Sequence, residues 1–236
     1  MERDELFDRL AAASALAVAG LSLLYAIAYL GITPSAQRGS DVDDFYRSYL
    51  AHPAGGRIAS TCLFLSGLLV GLPVVALARR LAVRAGSIVT WASILGVVAG
   101  FATAAHGLTN LLAVDKLAHK YESGDAATRA AITVAGYTPS EVDPRGLATF
   151  CAAGLAALAL GLALRAVKPT IGTLGVVLGV DMVLLFVATA AGIGPLILLT
   201  GGLASVILGP WWWVSVAREL RAPAVGTVPI ADPAAP

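Results

Sequence analysis

One acidic residue, Asp181, stands inside a long apolar stretch that has no other charge. The stretch runs from 169 to 217, and Asp181 lies in its first half. A carboxyl deep in a membrane-spanning helix costs about 3 kcal/mol to insert, so such a residue usually faces the interior of a helix bundle and has a polar partner. Some transporters use such a group as a proton relay or a cation site, whereas in other proteins it only joins two helices.

Two serines, Ser66 and Ser205, are candidate partners of Asp181. Each falls in an apolar stretch at about the same predicted depth. Because the apolar stretches contain no Lys or Arg to pair with it, the carboxyl is expected to act as a neutral hydrogen-bonding group. The sequence favours this structural role and leaves a proton or ligand site as the alternative.

A second polar group of residues lies where the third apolar stretch ends. His106 and Asn110 are one helical turn apart, as are Asp115 and His119, and His52 in an earlier loop is a third imidazole. Two or three imidazoles and a carboxylate can bind zinc, but no HExxH spacing is present. The sequence favours histidines bonded to water or carbonyl groups, and it leaves a zinc site and a metal-dependent membrane hydrolase as alternatives.

Other catalytic patterns are missing from the sequence. There is no GxSxG elbow and no glycine-rich phosphate loop, and Cys62 and Cys151 stand alone in apolar stretches. The net charge of +1 gives no basic field for nucleic-acid binding. We therefore expect a protein that binds no nucleic acid, holds no cofactor unless zinc is bound, and is not an enzyme.

These residues must be positioned by membrane helices, because 58% of the 236 residues are hydrophobic and only 13% are charged. Charged residues separate apolar stretches long enough to cross a bilayer, and Gly192, Gly194 and Pro195 divide the longest stretch into two. Backbone groups in lipid must be hydrogen-bonded within helices, so the predicted fold is all-α, a polytopic bundle. Its six spans are 10–31, 58–78, 88–110, 146–165, 170–191 and 195–217.

Two long loops are each predicted to contain a short amphipathic helix. In the first, Ser40 is a candidate cap and Pro53 ends the segment. Its apolar stripe is either a membrane-surface helix in the outer headgroup layer or a lid over a cavity. Asp125 is the candidate cap in the second loop. The stripe in the first loop consists of Val42, Phe45, Tyr46, Tyr49 and Leu50.

Basic residues crowd the short connections and predict the orientation. Since positive residues favour the cytoplasmic side, we expect an inner (plasma) membrane protein with both termini in the cytoplasm. Trp211, Trp212 and Trp213 are expected to anchor the last span in the headgroups. Residues 222–236 are predicted to form a disordered tail rich in Pro and Ala. The basic residues concerned are Arg79, Arg80, Arg84, Arg165, Lys168, Arg218 and Arg221.

Small residues four apart, such as Gly67 with Gly71 and Gly175 with Gly179, predict close helix packing. Gly96 and Gly100 form a third pair. The pattern fits packing within one chain and also a homodimer, and the sequence does not choose between them.

The chain resembles a group of six-span bacterial integral membrane proteins of the domain-of-unknown-function type. The resemblance implies the architecture and carries no activity or site residues. The most favoured function is a non-enzymatic module that binds an apolar small molecule, a lipid or a partner membrane protein, and the alternative is a small proton-coupled transporter using Asp181. The residues that carry the resemblance are Lys168, Pro169, Gly172, Leu174, Gly175, Gly179, Trp213 and Arg218.

Overall fold

The computed structural model describes residues 2–30, 42–135, 143 and 145–222, and every regular element within them is helical. Two segments are π-helices that continue directly into α-helices, and we name them π1 and π2. The elements are α1 (Glu2–Leu30), α2 (Val42–Ala51), α3 (Pro53–Ala85), α4 (Ser87–Ser123), α5 (Ala126–Ala135), π1 (Leu147–Ala152), α6 (Ala153–Arg165), α7 (Pro169–Ala191), α8 (Gly194–Gly202), π2 (Leu203–Leu208) and α9 (Gly209–Arg221).

Among the described residues, six segments are long and apolar enough to cross a membrane, which confirms the predicted all-α bundle. They are α1, α3, α4, π1 with α6, α7, and α8 with π2 and α9. Several helices continue past the predicted spans, because charged residues at their ends remain helical. The largest extension is in α4, which was expected to leave the membrane near 110 but ends at Ser123. At 1.5 Å per residue, α4 projects about 20 Å further than predicted.

Glycines bring helix backbones together in two antiparallel pairs. Between α3 and α4, Gly67 lies against the backbone of Gly100, and Gly107 lies against that of Phe64. Between α6 and α7, Gly161 meets the backbone at Gly175. A methyl group at any of these contacts would collide with backbone atoms. These glycines therefore pack helices within the chain, and the homodimer stays a prediction.

We call one end of the bundle the basic end. It contains the start of α1 and the end of α9. There Arg80 of α3 donates hydrogen bonds to the Asp8 carboxylate of α1 and to three carbonyl groups at the end of α9. Arg79 pairs with Asp4, and Lys168 lies 3.5 Å from Glu219. These contacts place the start of α1 and the end of α9 on one side, as six spans require.

Trp212 does not anchor the bundle in lipid as its position in the sequence suggested. It is 1% exposed, and its ring lies against Gly175 of α7, where a side chain would leave no space. Trp211 is 56% exposed and remains at the surface. The sequence could not separate these neighbours, because adjacent residues point in directions about 100° apart on a helix whose rotation is unknown.

The opposite end, which carries α2 and α5, is the loop end. The apolar stripe of α2 faces protein, because Tyr46 and Tyr49 are buried against Val114 and Ala118 of α4 and Ile132 of α5. The stripe therefore packs against protein, and its predicted position in the headgroup layer stays a prediction. The candidate cap Ser40 lies outside the described residues. Asp125 does cap α5, because its carboxylate accepts a hydrogen bond of 2.8 Å from the Thr128 amide.

Candidate functional site

Asp181 lies in the middle of α7 with its carboxyl inside the bundle. The residue is 7% exposed, and its Oδ2 atom is buried without a hydrogen-bond partner. Leu178 and Leu185, one turn before and after it, are also buried. Buried polar atoms in folded proteins nearly always have a partner, so an unpaired carboxyl oxygen at this depth needs an explanation.

The register between α7 and the last span places Asp181 beside the π-helical segment π2. The Leu185 side chain lies against Gly201 of α8. The two helices run antiparallel, so a step of four residues back from Leu185 along α7 reaches the same height as a step of four residues forward from Gly201 along the last span. Asp181 therefore lies at the height of Ser205, which is inside π2. π-Helical turns are rare and are frequent at functional sites.

Neither predicted serine partner forms a hydrogen bond with Asp181 among the described residues. Ser66 lies on α3, which packs on α1 and α4, whereas α7 packs on α6 and the last span. Ser205 has the matching height but makes no hydrogen bond to the carboxyl. Within the described residues, Asp181 thus has no hydrogen-bond partner on another helix, and its structural role stays a prediction.

A groove lies between α7 and α9, closer to the basic end than Asp181, which is not among its lining residues. Its volume is about 250 Å³. Leu174 and Val177 line it from α7, and Trp211 lines it from α9. Residues three, four and seven apart share a helix face, so Leu174 and Val177 lie on the same face of α7 as Asp181, one to two turns closer to the basic end. The site thus combines an apolar groove with one buried carboxyl beyond its end.

A second polar cluster lies near the loop end, where α4 meets π1. His106 Nε2 and Asn110 Nδ2 are joined by a hydrogen bond of 3.1 Å, and the Asn110 Oδ1 atom is buried without a partner. The carboxylate of Asp143 acts electrostatically on His106 and accepts a 2.7 Å hydrogen bond from the Thr149 amide at the start of π1. Each of the two π-helical segments therefore lies beside a buried polar atom that has no partner.

The proposed zinc ligands are not brought together. Asp115 binds Arg57 at 3.0 Å, and the exposed His119 donates from Nδ1 to the carbonyl oxygen of Asp115. His52 is exposed in the turn between α2 and α3, and His106 is bonded to Asn110. Within the described ranges, no three His, Cys, Asp or Glu side chains form a group that could hold a metal ion. The described donors therefore give no support to a zinc-dependent function.

The contact of α2 with α4 is tight and also has an unpaired polar atom. Tyr46 is 1% exposed, and its hydroxyl is buried without a partner. Burial, with a smaller contribution from Tyr121, raises the pKa of Tyr46 to about 12. Burial also raises the pKa of Tyr49, and the nearby Asp115 carboxylate adds to this rise. Both phenols are therefore neutral at any physiological pH.

Three features of these sites were missed from the sequence. The two π-helices have no recognised sequence signature, because an extra residue in a turn is set by packing. Asp143 was overlooked, although an acidic residue just before an apolar span is typical of a group that accepts hydrogen bonds from the first helical amides. The groove was not predictable, since it depends on how α7 and α9 are rotated.

Comparisons of the chain with protein-family models, with curated proteins and with solved structures gave no match.

Proposed function

We propose that the chain is a small proton-coupled membrane carrier for an apolar molecule, and that Asp181 is its proton site. The observation that carries this proposal is the Oδ2 atom of Asp181, which is buried without a partner at the depth of a π-helical turn. An ionisable residue inside a membrane bundle marks a proton or substrate path more often than a purely structural contact.

The lack of a partner argues against a structural role. A carboxyl that joins two helices stabilises them by donating or accepting a hydrogen bond, and a buried oxygen without one costs about 1–3 kcal/mol. The buried Oδ2 atom of Asp181 forms no such bond, so nothing offsets that cost. A group that must alternate between two states has a reason to be incompletely satisfied in one of them.

The proposed cycle uses the two forms of this carboxyl. When protonated, Asp181 is neutral and is compatible with the closed apolar surroundings. Release of the proton leaves an anion that requires water or hydrogen-bond donors. We expect π2 to rearrange at that step, because the Ser205 hydroxyl lies at the same height and a π turn can convert to an α turn by a shift of one residue.

The apolar groove supports the substrate class. Leu174, Val177 and Trp211 offer it apolar contacts, and the Thr170, Thr173 and Ser215 hydroxyls lie among its other lining residues. The volume of about 250 Å³ suits a small molecule or one acyl chain. Since the exposed Trp211 and Val177 form part of the wall, we expect the substrate to enter from the lipid.

We place the basic end in the cytoplasm and the chain in a bacterial inner membrane. Arg79, Arg80 and Arg84 lie in one short connection at that end, which follows the rule that positive residues remain inside.

Transport in everted membrane vesicles tests the proposal. Vesicles with and without the chain are energised, and proton release is followed with a pH-sensitive dye while a panel of neutral apolar molecules is added. We expect at least one compound to cause proton movement that vesicles without the chain do not show, and we expect Asp181→Asn to abolish it because the amide cannot exchange a proton. The control Ser66→Ala should transport normally. Equal pH-dependent transport by the Asp181→Asn protein would contradict the proposal.

A second function, binding of an apolar molecule without proton coupling, is supported by the groove alone. Under it, the Asp181→Asn protein retains binding at every pH, whereas Val177→Phe narrows the groove and weakens binding. Quenching of the native tryptophan fluorescence by a brominated fatty acid measures both variants. Unchanged binding in Val177→Phe would exclude the groove under either function.

A further inference from the structure

A small pocket opens at the basic end among α3, α6, Lys168 and α9. Its volume is about 80 Å³. Leu77 and Leu81 lie in its wall and are almost fully buried, whereas Arg84 in the same pocket is exposed. The space is more than twice the volume of about 30 Å³ that a water molecule occupies, so a single phosphate group is the size of ligand it suits.

The charged residues of the pocket are predominantly basic. Arg80, Arg84 and Lys168 line it together with one acid, Glu219. Asp8 neutralises Arg80, and Glu219 lies 3.5 Å from Lys168. Arg84 makes no ion pair or hydrogen bond within the described ranges. One cation is thus left without a counter-ion beside a pocket with an apolar wall, where the attraction for an anion is stronger than in bulk water.

The start of α7 lies beside the pocket, because Lys168 is the residue before this helix. Pro169 at the first position has no amide hydrogen, and Thr170 and Ile171 line the groove between α7 and α9 instead. The beginning of a helix carries a partial positive charge, which favours an anion nearby. α7 has 23 residues, so this contribution is that of a long helix.

We propose that this pocket binds the phosphate of an anionic phospholipid from the leaflet at the basic end. Arg84 and Lys168 contact the phosphate, and the acyl chains remain in the surrounding lipid. Basic pockets between helices at the cytoplasmic membrane surface are typical sites for anionic headgroups. The proposal does not depend on transport or on Asp181.

Lipid binding to the full chain in detergent measures the proposed site. Native mass spectrometry gives the apparent affinity for phosphatidylglycerol and for phosphatidylcholine with the same acyl chains. A direct ion contact to the phosphate contributes up to about a fivefold factor in affinity, so Arg84→Gln combined with Lys168→Gln should weaken phosphatidylglycerol binding by up to roughly 30-fold. Phosphatidylcholine binding should not change.

The matched control removes the same charge at the same end but outside the pocket. Arg218→Gln combined with Arg221→Gln should weaken phosphatidylglycerol binding by less than about threefold, since bulk surface charge is screened. Equal losses in the two double variants would overturn the proposal. Equal binding of phosphatidylcholine by the unmodified chain would also overturn it.

Two further measurements cover a variant that fails to fold and a ligand that is not a lipid. A photoactivatable phosphatidylglycerol bound to the unmodified chain should label peptides around Arg84 and Lys168, and labelling confined to other regions overturns the proposal. Glycerol phosphate at the same concentration should not displace the lipid. If the soluble compound displaces it fully, the site recognises free phosphate and the assignment to a lipid is wrong.

Discussion

Arg80 and Asp181 are two ionisable residues of one helix bundle, and they differ in how completely their polar atoms are hydrogen-bonded. Arg80 donates five hydrogen bonds, as many as its guanidinium has N–H groups, to Asp8 and to the carbonyl groups of Glu219, Leu220 and Ala222. Asp181 has a buried oxygen with no partner. Arg80 is thus fully satisfied, whereas Asp181, like Tyr46 and Asn110, has a buried polar atom without a partner.

The difference follows from where each residue lies. Arg80 is at the basic end, where the carbonyl groups that finish α9 have no partners within their own helix and need donors. Asp181 is surrounded by helix interiors, whose backbone groups are already bonded to one another. A structural partner for Asp181 must therefore be a side chain, and the described neighbours do not provide one.

The largest expected effect is at Arg80. Replacement by Met leaves the Asp8 carboxylate and three carbonyl groups without their donor, and loss of hydrogen bonds to a charged group in a partly buried site costs about 1.5–3 kcal/mol. Thermal unfolding in detergent, followed by circular dichroism, measures the change. The control Arg218→Met removes an exposed basic residue and should stay within about 0.5 kcal/mol. Similar losses in both variants would mean that the hydrogen bonds of Arg80 stabilise the bundle no more than an exposed side chain does.

Asp181→Leu is expected to change stability in the opposite direction. Because the carboxyl has a buried oxygen without a hydrogen bond, its removal should leave the unfolding free energy unchanged or raise it by about 1–3 kcal/mol. The same unfolding measurement applies. A loss as large as that of Arg80→Met would mean that Asp181 has a structural partner, and the functional interpretation would fail.

A smaller effect is expected at Tyr46, whose buried hydroxyl has no partner. Tyr46→Phe should be neutral or stabilising by about 1 kcal/mol, whereas Tyr49→Phe should be destabilising because that phenol interacts with Arg57.

The stability of the chain at alkaline pH is a second test of the burial of the Tyr46 hydroxyl. The pKa of Tyr46 is about 12 in the folded chain and about 10 in the unfolded chain. The contribution of the Tyr46 proton to the free energy of unfolding is present in full below pH 10. It is lost as the pH rises to about 12, because the unfolded state loses the proton first. Unfolding midpoints between pH 9 and pH 12 should fall less steeply in Tyr46→Phe. Identical slopes would show that the hydroxyl is not buried.

The smallest expected effect is at the ion pair between Arg57 and Asp115 at the loop end. Both side chains are partly exposed, so Asp115→Asn should cost about 0.5 kcal/mol, and the difference should disappear in high salt. A double-mutant cycle with Arg57→Gln isolates the pair. A coupling energy of several kcal/mol would show that the loop end is held by charges as firmly as the basic end.

The sequence was sufficient for the six spans and for the burial of Asp181, because both follow from where charged residues are absent. It was not sufficient for the surroundings of Asp181. Counting residues from the basic end put Ser66 and Ser205 at a similar depth, but Ser66 lies on α3, which packs mainly on α1 and α4. Hydropathy does not tell which helices are neighbours. The stripe of α2 showed in the same way that a helix is amphipathic but not that its apolar face meets α4.

Infrared difference spectroscopy of the chain in lipid tests the role of Asp181 most directly. We expect the unmodified chain to show one protonated carboxyl band that is missing in Asp181→Asn, changes reversibly between acidic and alkaline pH, and shifts in heavy water. Identical carboxyl bands in the two proteins, or a difference between them that stays constant across this pH range, would contradict the claim that Asp181 exchanges a proton.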